Sequence, residues 1–318
     1  MNLSKFETSI IEVLSYFAIF HHPLKVDEVH RFSGINMSTA QAKETLEQLA
    51  HKNLVLESGG YWSVTTDELH KQIKQRKKYE ALFQAFIPKV IQNTRLIASF
   101  PFVKAIFVSG SMSKGVVKED GDIDFFIITK QGRLWLCRSL LILYKKIFRG
   151  NSHKFFCLNY FVGEESMRIP DENLFTATEL ASMIPVYNKP VCRQFKEANQ
   201  WYQTWVPNHI DALNFECLTA GKKPFWSRAI STVSQLKVVD RVDRSLMRLT
   251  LTIWQKKFPH FSKEMMALAM RSKRNVSKHH PNNFQQKVLE KHLAIQQNIF
   301  NKLPVHTSIK KENELGKI

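Results

Sequence analysis

The stretch FVSGSMSKGVVKEDGDIDFFIIT, Phe107–Thr129, decides how the rest of the chain is read. An apolar run ends at Gly110-Ser111, a ten-residue spacer follows, and Asp122-Ile123-Asp124 then opens a second apolar run. Side chains alternate along a strand, so Asp122 and Asp124 are expected on one side. Buried without a cation, two such carboxylates repel and one has to keep its proton. A shared divalent cation explains the pair better than packing does, and oxygen donors of this kind suit Mg²⁺ or Mn²⁺. Gly110 permits close backbone approach, while Ser111 offers a hydroxyl and an N–H at a helix start. Lys114 follows one turn later, within reach of a phosphate oxygen. Together these form an expected phosphate cradle beside an expected metal pair.

Outward from this stretch, VKAIFVSG, DIDFFIIT and KFFCLNYFVG read as strands, with RLWLCRSLLILYKKIFRG as a helix closed by Gly150. Further on, NLFTATELASMIPVY and KPVCRQFKEANQWYQTWV read as helices. A basic helical region is expected from Ser227 to Leu303, and the polar tail VHTSIKKENELGKI is expected to be disordered. Upstream, 1–65 reads as three short helices and a hairpin turning at Gly59-Gly60, which resembles a winged helix-turn-helix. Its third helix either reads a nucleic-acid groove or serves packing and dimerisation. The nearly balanced charges on that helix weigh against groove reading. Residues 66–100 form an expected linking helix, capped by Thr66 and Asp67 and kinked or broken at Pro88. The expected organisation is a module at 1–65, a linking helix at 66–100, a core at 101–220 and a basic helical region at 221–318.

Phe107-Val108, Gly110-Ser111 and Asp122–Phe125 resemble the signature of the DNA polymerase β-like nucleotidyltransferase superfamily. The modular arrangement is similar to bacterial nucleotidyltransferase-domain proteins with an N-terminal winged-helix-like module. The resemblance implies an α+β fold, a nucleotidyltransferase-type mixed β-sheet with helices, flanked here by the N-terminal module and the C-terminal helical region. It implies that Asp122 and Asp124 bind two Mg²⁺ ions and that Gly110 and Ser111 hold the β and γ phosphates of a nucleoside triphosphate. A substrate hydroxyl then attacks the α-phosphorus in line, and pyrophosphate leaves. Members usually carry a third acid on a later strand. Asn159 stands at that position here and joins the two aspartates in the expected catalytic set. An amide cannot accept a proton, so Glu164 and Glu165 stand as alternative third acids.

The formal charge is +18, and from Phe225 onward 18 Lys and Arg face 6 acids. Such an excess favours a polyanionic partner. The densest cluster, Arg271–Pro281, carries Arg271, Lys273, Arg274 and Lys278 as well as His279. It reads either as a solvated loop or as a clamp in which Arg274 and Lys278 grip the triphosphate or a nucleic-acid backbone. His21-His22 reads as a helix cap. Trp201, Trp205, Trp226 and Trp254 read as core, and the Asp240/Arg241 and Asp243/Arg244 pairs as surface ion pairs. None of the four cysteines forms a C-x-x-C pair, and a reducing compartment fits. With no signal segment and no apolar run of the ~18 residues a span needs, a cytoplasmic protein without a membrane partner is expected. Two functions stay open. One is a metal-dependent nucleotidyltransferase acting on a hydroxyl acceptor. The other is a catalytically degenerate relative acting as a nucleic-acid-binding regulator.

Overall fold

The computed structural model describes residues 3–64, 68–150, 155–210, 213, 215–233, 236–262, 265–266, 269–279 and 283–301. The expected cap at Thr66-Asp67 and the expected disordered tail lie outside these residues.

The N-terminal residues form α1 (Lys5–Ala18), α2 (Val26–Phe32) and α3 (Thr39–His51), followed by β1 (Val55–Ser58) and β2 (Tyr61–Val64). Ser4 and Ser38 each close a capping box, accepting from the backbone N–H of Glu7 and Gln41. β1 and β2 pair antiparallel across Gly59-Gly60, both at positive φ. Ile10, Leu14, Leu46 and Leu49 fill a core between these helices. α1 ends where His21 takes φ 53, its N–H bonding the Ala18 carbonyl.

Next comes α4 (Leu69–Ser99), which runs through Pro88 without interruption. The expected break fails for a physical reason. An interior proline costs about 3 kcal/mol, but Phe83, Val90 and Ile97 on the same helix are buried against the sheet, at about 1.5–3 kcal/mol each. Arg76 ties α4 to the N-terminal helices. It is buried, bonded to Glu28 at 2.7 Å and Glu80 at 3.0 Å, donates to the Pro23 carbonyl, and lies over the Tyr61 ring.

The central sheet is mixed and ordered β6-β3-β4-β5-β8-β7. It comprises β3 (Val103–Ser109), β4 (Asp124–Thr129), β5 (Cys157–Gly163), β6 (Ile184–Tyr187), β7 (Ser272–Lys273) and β8 (Val276–Lys278). β3 and β4 are antiparallel. β4 and β5 are parallel, joined by the crossover helix α5 (Leu134–Phe148). One face of the sheet packs Ile106, Phe125, Ile127 and Phe161 beneath α4 and α5. The other packs Phe107, Phe126 and Ile128 beneath α6 (Leu174–Ser182) and α7 (Lys189–Ala198). The apolar runs are continuous because both faces are covered.

The sheet differs from expectation in three places. Ile184–Tyr187, expected to continue a helix, is an edge strand paired with β3. Arg271–Lys278, expected as a loop, is the β7/β8 hairpin on the opposite edge, where β8 pairs with β5. A β-bulge in β5 sets two residues against one on β4, so Phe125 pairs with Leu158 and Phe126 with Tyr160. Neither short edge strand has a hydrophobic period long enough to be legible.

The C-terminal residues add α8 (Phe225–Val233), α9 (Lys237–Lys257) and α10 (Phe284–Asn301). α9 packs on α5, whereas α10 packs on α1, with His292 Nε2 2.9 Å from the Glu12 carbonyl. Asp240 pairs with Arg133, and the fully buried Asp243 accepts from the Leu136 N–H at 2.8 Å. The latter is a cap for α5 supplied by another helix, not the expected surface ion pair. Trp254 is buried as expected, but Trp205 and Trp226 are exposed. No helix of the described residues is long and apolar enough to cross a membrane.

Candidate active site

β3 delivers Gly110 to the end of the sheet, and the neighbouring β4 begins at Asp124. Asp122 stands just before that strand, not within it. The two carboxylates nonetheless converge: one ligand atom from each of Asp122, Asp124 and Cys157 lies within 4.8 Å of the others. Gly110 sits at φ +68, and a Cβ there would meet Asp124 Oδ2 at 2.5 Å. Glycine is therefore required twice over, by the left-handed backbone and by the space the carboxylate occupies.

Strict alternation on β5 puts Cys157, Asn159 and Phe161 on one face. The bulge breaks that pattern. Phe161 goes into the core, while Cys157 and Asn159 both face Asp124. Asn159 Nδ2 donates to Asp124 Oδ1 at 3.1 Å, and its carbonyl accepts from the His279 N–H of the β8 edge at 2.9 Å. Glu164 and Glu165 lie beyond the opposite end of β5. There Glu164 accepts from the Gln131 N–H at 3.1 Å and Glu165 from the Gly132 N–H at 3.4 Å. Neither reaches the aspartates, so β5 contributes no third carboxylate.

Burial pushes the Asp124 pKa up to about 7, with the Asp122 carboxylate adding to the rise and the Cys157 and Asn159 hydrogen bonds opposing it. The Cys157 thiol is pushed up too, chiefly by burial and then by the two aspartates. Lys145 of α5 is buried behind the site. Burial lowers its pKa, against the attraction of Cys157 and Asp122. Two hard carboxylates forced together under a desolvating wall fit a divalent cation, which would offset both the burial and the mutual repulsion that raise the Asp124 pKa. A protonated thiol does not suit Mg²⁺, so Asp122 and Asp124 are the fitting donors.

A cavity of about 510 Å³ opens over the aspartates. Ser111, Lys114, Asn159 and Lys278 line it, as do Phe17 of α1, Phe20 in the turn after it, Phe175 of α6 and Phe284 of α10. Lys114 Nζ is 2.6 Å from Glu179 and 3.3 Å from the Gly110 carbonyl. Lys278 is held by Gln285 at 3.1 Å and Asp171 at 3.8 Å, and Asp171 also takes both nitrogens of Arg271. Arg274 is not brought to the cavity; it lies against Gly132 and 3.8 Å from Asp240. His21 and His22 line the cavity wall, and burial, reinforced by Arg76 and Lys114, lowers His22 to about 3, so it stays neutral. Cys157, Glu179 and Asp171 carry no motif. Cys157 was signalled only by its place two residues before Asn159, and the two acids had no signal, because tertiary packing alone brings α6 and its preceding loop to the site.

Residues 91–235 match the model of a family described as nucleotidyltransferase domain. The match runs from within α4 through α8 and contains the Gly110-Ser111 turn, both aspartates and β5. No curated protein and no solved structure matches the chain.

Proposed function

On the premise that this chain carries a nucleotidyltransferase domain of the DNA polymerase β-like superfamily, we propose that it moves a nucleoside monophosphate from a nucleoside triphosphate to a hydroxyl acceptor, and that the acceptor is a small molecule. One observation carries the reading: Asp122 and Asp124 converge beside a turn at which only glycine fits. Asp122 and Asp124 would hold the divalent ion, which when bound supplies Lewis acidity to the phosphoryl oxygens. Asn159 orients Asp124 by donating to one carboxylate oxygen, leaving the other toward Gly110. The Gly110-Ser111 backbone and Lys114 provide the phosphate contacts, and Glu179 holds Lys114 in place when no phosphate is present. With an amide at position 159, no β5 carboxylate takes the acceptor's proton; the ionised carboxylates of Asp122 and Asp124 are able to do so.

The N-terminal helices support a small acceptor. Phe17 and Phe20 form part of the wall over the aspartates, in a cavity whose volume is that of a small-molecule site. A duplex held by α3 alone would not account for them. The regulator reading rests on the amide at 159 and on the positive charge. The test is incubation with α-labelled nucleoside triphosphate, Mg²⁺ and two acceptor sources, a low-molecular-mass metabolite filtrate and total RNA. Label is expected in a small product, and in no product with Asp122→Asn or Asp124→Asn. Label that persists in either variant overturns the assignment; label on RNA alone overturns the small acceptor.

A further inference from the structure

We infer that the outer surface of α5, α8 and α9 is a docking face for an anionic lipid surface. A helix layer over a sheet normally turns apolar side chains inward and polar ones outward. α9 turns both kinds outward. Val238, Val242, Leu249 and Ile253 are all exposed, and their spacing of four, seven and four residues puts them in one stripe. Leu249 is 57 % exposed. Lys237, Arg241, Arg244 and Arg248 flank that stripe and are exposed as well. The only acids of α9 are turned elsewhere, Asp240 to Arg133 and Asp243 into the protein as the cap of α5. Asp240 stays part-exposed but is engaged by Arg133 and Arg274, so the outward face is apolar and net positive.

Neighbouring helices extend the surface. Phe148 of α5 is 68 % exposed and stacks on Tyr144, which meets Phe100; Phe100 in turn meets Trp226 of α8. Ile147 and Phe225 are exposed on the same helices, Phe225 at 78 %. Exposed apolar groups of this kind on three helices, the aromatic one on α5 and α8 and the aliphatic stripe on α9, exceed the scattered single residues of an ordinary surface. Apolar residues interleaved with arginines match the chemistry of a membrane interface, where the first enter the acyl boundary and the second meet anionic headgroups. A second copy is the weaker occupant, because pairing this face with itself brings arginine clusters together. Nucleic acid gives the apolar stripe nothing to do. A peripheral contact needs no membrane span.

The test uses the full chain and extruded vesicles of phosphatidylcholine, alone or mixed with phosphatidylglycerol, followed by sedimentation at low and high salt. Binding is expected only with phosphatidylglycerol and is expected to weaken with salt. The double variant Arg241→Gln/Arg248→Gln is expected to lower partitioning on the order of thirtyfold. Leu249→Ser/Ile253→Ser is expected to lower it about tenfold or more. Thermal unfolding of both variants should match the parent, since all four side chains are exposed. Three results overturn the inference. One is no sedimentation with the mixed vesicles at low salt. Another is binding that Leu249→Ser/Ile253→Ser leaves unchanged, which marks a general polyanion surface. The third is a dimer in light scattering that the same variant dissociates, which marks a second copy.

Discussion

Replacing Asp124 by Asn separates what its carboxylate costs the fold from what it does for the site. Desolvation and the Asp122 charge raise Asp124 from 3.8 to about 7. That rise corresponds to a penalty of about 4 kcal/mol on the ionised form, an upper limit because water entering the cavity screens the pair. The folded-state value lies above the unfolded one, so the native protein holds the extra proton. Its stabilising contribution is complete below about pH 4 and is lost as pH rises to about 7. Asn keeps an oxygen that accepts from Asn159 but never ionises. In chelator, the stability of Asp124→Asn relative to the parent should therefore rise between about pH 4 and pH 7, approaching about 4 kcal/mol. Mg²⁺ should close the gap by stabilising the parent alone. The assay is chemical denaturation across pH with and without Mg²⁺. Parallel stability curves for the two proteins, or equal stabilisation of both by Mg²⁺, would refute the reasoning.

Gly110→Ala should cost about 1–2 kcal/mol from the left-handed backbone alone and should abolish divalent-ion binding by displacing the Asp124 carboxylate; calorimetric titration with Mn²⁺ checks both the loss and the fold. Asn159→Asp adds a third carboxylate on the bulge and should tighten Mn²⁺ at least tenfold at about pH 8, read in the same titration; unchanged affinity contradicts the orienting role assigned to Asn159. Arg76→Met leaves Glu28 and Glu80 without their buried partner and should lower stability by about 3–5 kcal/mol in urea unfolding. Divalent-ion affinity of the parent should fall about tenfold for each pH unit below about 7, since the ion must displace the Asp124 proton.

The Gly110-Ser111 to Asp122–Asp124 stretch was legible because its chemistry is local: one strand end, one turn, one strand start. The three N-terminal helices and the hairpin were legible for the same reason, through Ser4 and Ser38 as caps and Gly59-Gly60 as the turn. What escaped depends on residues far apart in sequence. β6 is a strand because β3 offers an edge, and β8 because β5 does. Pro88 is tolerated because the helix around it is buried on the sheet. Asn159 faces the aspartates together with Cys157, while Phe161 does not, because of a bulge that no periodicity announces. Asp171 and Glu179, which hold Lys278 and Lys114, arrive only through tertiary packing.

The central claim is that Asp122 and Asp124 share a cation touched by a polyphosphate resting on the Gly110-Ser111 turn. Its most direct test is anomalous diffraction from crystals grown with Mn²⁺ and a non-hydrolysable nucleoside triphosphate. A manganese peak bonded to both carboxylates, with β and γ phosphates on the turn's backbone, is the predicted result. Nucleotide bound elsewhere, or Lys145 occupying the space between the aspartates with no metal peak, would contradict it.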